Sequence, residues 1–181
     1  MKLKEKLYKK VCLYKGKSVN FFADKILLPN KKVAIREYID HPGAVTVLPI
    51  LDEQRIVLVK QYRYPVGKIT YELPAGKLDK HKTESLKSCV LRELEEETGY
   101  KSKTVHRMLS FWPTPAFGNE IIHIFVATNL FLGKKNPDED EFLHTKIITF
   151  NKALQWVKKG KIKDSKSVIG ILYWKIFCEK K

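Results

Sequence analysis

The run Ile56-Val57-Leu58-Val59 is apolar at every position. A strand covered on one face alternates apolar and polar residues, so an unbroken run predicts a strand covered on both faces, at the centre of a sheet. It lies in a longer segment, Arg55 to Tyr62, which reads as a hairpin with Val45 to Leu51 around Asp52-Glu53. Pro65-Val66-Gly67 breaks the second arm, and Ile69 to Leu73 forms a short strand before Pro74. Thr104 to Trp112 and Ile121 to Asn129 are two further strands, with Pro113, Pro115 and Gly118 punctuating the loop between them. A polar loop from Leu132 to Glu141 leads to a last strand, Thr145 to Phe150. Upstream, Val19 to Leu28 is apolar-rich and Pro29-Asn30 marks a turn. Residues 1–36 are therefore expected to form a small β unit ahead of a main domain over 37–181.

Three segments carry helical signals. Asn151 can cap a helix through Lys159, with Gly160 ending it. Ser165 or Ser167 can start a terminal helix, in which Val168, Ile171, Leu172 and Lys175 recur at helical spacing. The third has Thr83 as its cap and Gly99 as a left-handed end, with no Gly or Pro between them. A mixed sheet between helices, an α/β/α sandwich, is the expected architecture.

On the third helix, at about 100° per residue, Leu86, Cys89 and Val90 share one side, and Glu93, Glu96 and Glu97 continue that stripe one turn later. Like charges three and four residues apart repel. An inward-looking face makes unpaired charge costly. A divalent cation removes both problems, and hard oxygen ligands at this density suit Mg²⁺ or Mn²⁺. A bare Glu-Glu-Glu run is also what a solvated acidic patch looks like, so residue type alone leaves both readings open.

Composition narrows the class. At 181 residues and 44% apolar content, the chain can build one domain with a full core and a small extension. The basic start lacks the apolar stretch of a signal peptide, and Val168 to Trp174 is far too short to cross a bilayer. Cys12, Cys89 and Cys178 are scattered and fit neither a disulfide framework nor a zinc pattern, so a reducing cytoplasm is expected and no membrane partner. Net charge is +15, yet only five of the 35 basic residues are Arg and the Lys are spread along the chain. A Lys-rich surface that attracts small anions accounts for this better than nucleic-acid binding.

The wider spacing around the carboxylates adds more. Glu84, seven residues, then Arg92-Glu93-Leu94-Glu95-Glu96-Glu97-Thr98-Gly99-Tyr100 resembles the Nudix hydrolase signature G-x5-E-x7-R-E-U-x-E-E-x-G-U, with U a bulky apolar residue. Every position from Glu84 onward matches, with Tyr100 as the last U. One departure stands: seven residues, not five, separate Gly76 from Glu84, a lengthening of the loop before the helix.

The resemblance implies the sandwich fold already expected and hydrolysis of a nucleoside diphosphate linked to another moiety. It also implies metal ligation by Glu93, Glu97 and the carbonyl of Ala75, with Glu96 as a direct or water-mediated partner, while Glu84, Arg92, Gly76 and Gly99 support the motif. Four further stretches are similar to ADP-ribose pyrophosphatases and related nucleoside-diphosphate-sugar hydrolases. They run from Arg36-Glu37 with His41 to Val45, through Val59 to Gly67 and Glu72 to Lys77, to Pro113 through Glu120; Pro115 stands sixteen residues past Gly99. By that likeness Arg63 contacts the pyrophosphate or terminal ribose, a task suited to the two-pronged guanidinium. Arg36 reaches the base, and Glu120 holds ribose hydroxyls. A catalytic base sits in the acidic loop Asp138 to Glu141, with Glu139 first and Glu141 in reserve. A homodimer is expected through residues 1–36, whose Phe21, Phe22, Ile26 and Leu27 have little core of their own. Phe21 and Phe22 otherwise read as packing residues rather than a base-stacking pair.

Three functions compete. One is a Mg²⁺-dependent ADP-ribose or ADP-sugar pyrophosphatase. Another is a GDP-mannose or general nucleoside-diphosphate-sugar hydrolase. The third is a non-catalytic Nudix module that senses a nucleotide or binds nucleic acid; such modules usually lose motif carboxylates, and this chain keeps Glu84, Glu93, Glu96 and Glu97.

Overall fold

The structure, a computed structural model, describes residues 3–78, 84–136 and 142–178. It divides into two units. The first comprises the chain up to Gly43 with Trp112–Ile121. Its strands β1 (Lys6–Lys9), β2 (Cys12–Lys15), β3 (Asn20–Leu27) and β4 (Val33–Asp40) form one antiparallel sheet. β3 is its spine: β4 lines one edge, and β1 and β2 share the other. Alternate residues of β3, Phe22, Asp24 and Ile26, are buried, the pattern of a one-faced strand. Phe22 stacks on Tyr38, leaving Phe21 partly exposed. Buried Asp24 accepts from the Val11 amide at 2.9 Å and the Tyr38 hydroxyl at 3.0 Å. Burial, and then that hydrogen bond, push the Tyr38 pKa up. Ile39 bridges to Gly118 and its amide donates to the Phe117 carbonyl, tying 112–121 to β4.

The second unit holds Ala44–Phe111 and the chain from Ile122 on. In order come β5 (Ala44–Pro49), β6 (Arg55–Arg63), β7 (Lys68–Glu72), β8 (Ala75–Lys77), α1 (Leu86–Thr98), β9 (Tyr100–Phe111), β10 (Ile122–Leu132), β11 (Leu143–Thr149), α2 (Phe150–Lys158) and α3 (Ser165–Tyr173). One sheet runs β8-β5-β10-β9 and is mixed, since β5 and β10 are parallel. The other runs β11-β6-β7, all antiparallel. β6 is central in it and Ile56 to Val59 are fully buried, as the unbroken apolar run predicts. All six residues of β5 are buried because its two faces serve two cores. Val45 and Val47 pack with Cys89, Val90 and Leu94 of α1, and Leu48 packs with Leu58, Leu73, Trp156 and Ile171. Helices thus cover both faces, the α/β sandwich expected. Among the described residues no helix is long and apolar enough to cross a membrane.

Several expectations need correction. The hairpin of Val45 to Leu51 with Arg55 to Tyr62 does not form as a ladder. β5 and β6 enter different sheets, and in place of a ladder the two segments are joined at the Ile50–Ile56 bridge and by the hydrogen bond from the Leu51 amide to the Arg55 carbonyl. Both edges of β5 are already occupied, by β8 and β10. The caps also shift. Ser85, not Thr83, caps α1, its hydroxyl accepting the Ser88 amide at 3.0 Å; Thr83 itself lies outside the described residues. Thr149 replaces Asn151 at α2, and Asp164 replaces the two serines at α3. Ser, Thr, Asp and Asn cap almost equally well, so neighbours compete and packing decides. Gly99 ends α1 at φ 77°, as the sequence predicts.

Candidate active site

The site is built on the buried stripe of α1. Glu97 is 3% exposed, and a buried carboxylate must be partnered. Its Oε2 accepts the amide of Ala75 at 3.1 Å, which draws β8 against the end of the helix. One turn earlier Glu93 lies over Gly76. A Cβ on Gly76 would stand 1.9 Å from the Glu93 carboxylate carbon, so only glycine lets that carboxylate reach the β8 backbone.

Arg92 gathers the other carboxylates. Its Nη1 donates to Glu93 at 2.8 Å and to Glu96 at 2.7 Å. Its Nε and Nη2 donate to the two oxygens of Glu84 at 3.3 and 3.2 Å. Burial works against the Arg92 charge, but Glu84, Glu93 and Glu96 outweigh it and raise its pKa. One guanidinium shared by three carboxylates, with Glu97 beside them, leaves a surplus of negative oxygen. Burial pushes the neighbouring Cys89 thiol up to about 11, so it stays protonated at neutral pH. A groove of about 570 Å³ opens beside Arg92 and Glu96 and is also lined by Leu91, Lys101 and Phe131.

These residues fit a hard divalent cation. The donors are all oxygen, and Gly76 leaves room for Glu93 against β8. Among the described residues no three acidic, His or Cys side chains form a closed cage. Mg²⁺ does not require one, since it keeps several waters and binds through one or two carboxylates together with substrate phosphates.

A second cluster sits on β6 and β7. Alternation puts Val59, Gln61 and Arg63 on one face with Lys68, Thr70 and Glu72. Glu72 is 2% exposed. It accepts Arg63 Nε at 2.9 Å and Nη2 at 2.8 Å, Thr70 Oγ1 at 2.7 Å, and Lys166 Nζ at 2.6 Å. Lys166 also donates to Asp164 at 2.9 Å. Burial alone would raise the Glu72 pKa; Arg63, Lys166 and Thr70 more than reverse this and hold it at about 2. The Arg63 pKa is raised, first by its bond to Glu72 and also by the charges of Asp164 and Glu97, so its guanidinium lies in the field of the α1 carboxylates. Half of Arg63 remains exposed.

Glu72 carries a pH prediction. Its folded pKa lies below the unfolded value of 4.5, so the group stabilises the fold above about pH 4.5 and loses that contribution as pH falls toward 2. Glu72→Gln is expected to cost on the order of 3 kcal/mol at neutral pH. The gap in Tm from wild type should narrow steadily below pH 4.5; a constant gap down to pH 3 would contradict it.

The structure brings together Glu84, Arg92, Glu93, Glu96, Glu97, Ala75 and Gly76, with Arg63 near them. Arg36 and Glu120 lie in the first unit, where Arg36 pairs with Glu5 and Glu120 stands 3.4 Å from the His41 ring. Glu139 and Glu141 lie outside the described residues. Sequence reasoning missed Glu72, Lys166 and Asp164. Glu72 lay inside a matched stretch without a role, and an acidic residue within a predicted strand was the available signal.

Residues 40–169 match the NUDIX domain. The chain is similar to an ADP-ribose pyrophosphatase of Bacillus subtilis, 40% identical over 173 residues, covering 94% of this chain and 92% of that one. It is also similar to a methanol dehydrogenase activator of Bacillus methanolicus, 44% identical over 172 residues, covering 93% and 91%. A crystal structure of an ADP compounds hydrolase superposes with a TM-score of 0.84, over 97% of this chain and 95% of that one; at 16% identity this likeness concerns the fold alone.

Proposed function

The chain belongs to the NUDIX family and is a hydrolase of pyrophosphate bonds, and from that premise we propose that it cuts ADP-ribose between its phosphates to AMP and ribose 5-phosphate with Mg²⁺ or Mn²⁺. The observation that carries this reading is the meeting of Glu93 and Glu97 with the Ala75-Gly76 backbone, inside reach of the Arg63 charge. The likeness to the Bacillus subtilis pyrophosphatase supports the choice of substrate.

Glu93, Glu97, Glu96 and the Ala75 carbonyl would hold the cation, which when bound neutralises phosphate oxygens and acidifies water. The protein's own residues do the rest. The unused edge of Arg63 donates to pyrophosphate oxygens. Arg92 keeps Glu93 and Glu96 oriented. Water's oxygen bonds to one phosphorus, the bond from that phosphorus to the bridging oxygen breaks, and the water's proton passes to Glu139, with Glu141 as the reserve base. Arg36 and Glu120 take part in recognising base and ribose. A homodimer through the N-terminal β unit and a cytoplasmic setting complete the reading; the free thiols of Cys12, Cys89 and Cys178 agree with the latter. Light scattering tests the dimer, and the kcat of Glu139→Gln tests the base.

The deciding experiment is chromatography of ADP-ribose digests with Mg²⁺ and with chelator, with GDP-mannose in parallel. AMP and ribose 5-phosphate, formed only with the cation, are expected. Free ADP or adenine would overturn the proposal, and faster cleavage of GDP-mannose would move the substrate to that sugar nucleotide. A second reading is favoured by the 44% identity to the methanol dehydrogenase activator, namely that the same chain stimulates a dehydrogenase. Adding it to a methanol dehydrogenase assay checks this; an unchanged rate removes it.

A further inference from the structure

The first turn of α3 reaches back to the link between β7 and β8. Ser167 Oγ accepts the Leu73 amide at 2.7 Å, and the Ser167 amide donates to Asp164 Oδ2 at 3.0 Å. Between them Lys166, 8% exposed, extends its ammonium to Glu72 and Asp164. Each Glu72 oxygen therefore accepts two hydrogen bonds, and the carboxylate is filled. Arg63 spends its Nε and Nη2 on this carboxylate, and among the described residues its Nη1 makes no hydrogen bond.

We propose that Lys166 is a positioning residue for substrate binding: by sharing Glu72 with Arg63 it fixes the guanidinium with one edge on Glu72 and the other edge free for a pyrophosphate. This rests on the reading of Arg63 as a substrate contact. The charge arithmetic explains why a cation is needed. Glu72 and Asp164 face Arg63 and Lys166, two charges of each sign. Without the ammonium, two carboxylates compete for Arg63 and draw it away from an incoming anion. A neutral residue of the same size would fill the space and lose the effect.

The test is a double-mutant cycle with wild type, Lys166→Met, Arg63→Gln and the pair, read as KM and kcat for ADP-ribose and as Kd for inorganic pyrophosphate. Lys166→Met is expected to raise KM and Kd about tenfold with kcat within about twofold, and to add less than about twofold once Arg63 is Gln. Equal effects in both backgrounds would show a merely structural lysine and overturn the proposal. Unchanged KM and Kd in Arg63→Gln, or no measurable pyrophosphate affinity in wild type, would overturn it too. If ADP-ribose is not hydrolysed but the pyrophosphate coupling is present, the function proposed above fails and the positioning role stands. Lys166→Gln, which keeps an N–H donor without the charge, carries the same test should the Met variant not fold.

Discussion

Glu97→Gln retains its fold and loses nearly all turnover. The amide oxygen of Gln can still accept the Ala75 N–H, which Glu97 now accepts at 3.1 Å, so the tie between α1 and β8 survives. Removing one charge also relieves repulsion with Glu93, four residues away. In the proposed mechanism the substitution removes a hard anionic ligand and the charge stabilisation it anchors, worth several kcal/mol in the transition state, so kcat should fall about a hundredfold or more. Thermal melting and kcat at saturating Mg²⁺ check both halves. Near-normal turnover at saturating Mg²⁺ would remove α1 from the chemistry.

Gly76→Ala separates activity from stability in a different way. The three atoms nearest the added methyl would all belong to the Glu93 carboxylate, the far end of a flexible side chain. That side chain can swing aside at small cost, so Tm should move little. The displaced carboxylate, however, would leave the β8 backbone and its place beside Glu97. A misplacement of about 1 Å can cost about a hundredfold in rate, and kcat is expected to fall by that order. Normal turnover would show that Glu93 does not need its present position over Gly76, and a much lower Tm would show that the methyl is not accommodated by moving that side chain.

These two residues also mark what the sequence made legible. The α1 stripe was readable because a helix places residues three and four apart on one face by local geometry alone. The central position of Ile56 to Val59 was readable because burial on both faces leaves an unbroken apolar run. Partner choice was not readable: β5 and β6 look like a hairpin, but distant strands β8 and β10 take the edges of β5. β8 itself, Ala75–Lys77, has no apolar alternation and gave no strand signal. The loop before α1 is longer than the motif's, yet Glu84 pairs with Arg92, since a loop's length need not disturb the geometry at its ends. Arg63 was singled out through its stretch, but Glu72 and Lys166, 94 residues apart, share a buried charge that no local pattern encodes.

That same separation bears on how the protein is made. The hydrogen bond from the Leu73 amide to Ser167 and the bond from Lys166 to Glu72 both close across 94 residues. Contacts so distant in sequence form slowly, because the entropy of closing the long loop between them is lost before they contribute. During synthesis the ribosome releases β7, β8 and α1 long before α3 emerges. A nascent chain can therefore hold a finished α1 while Arg63 still lacks its fixed orientation, and the cluster of Arg63, Glu72 and Lys166 is completed only when the last helix docks.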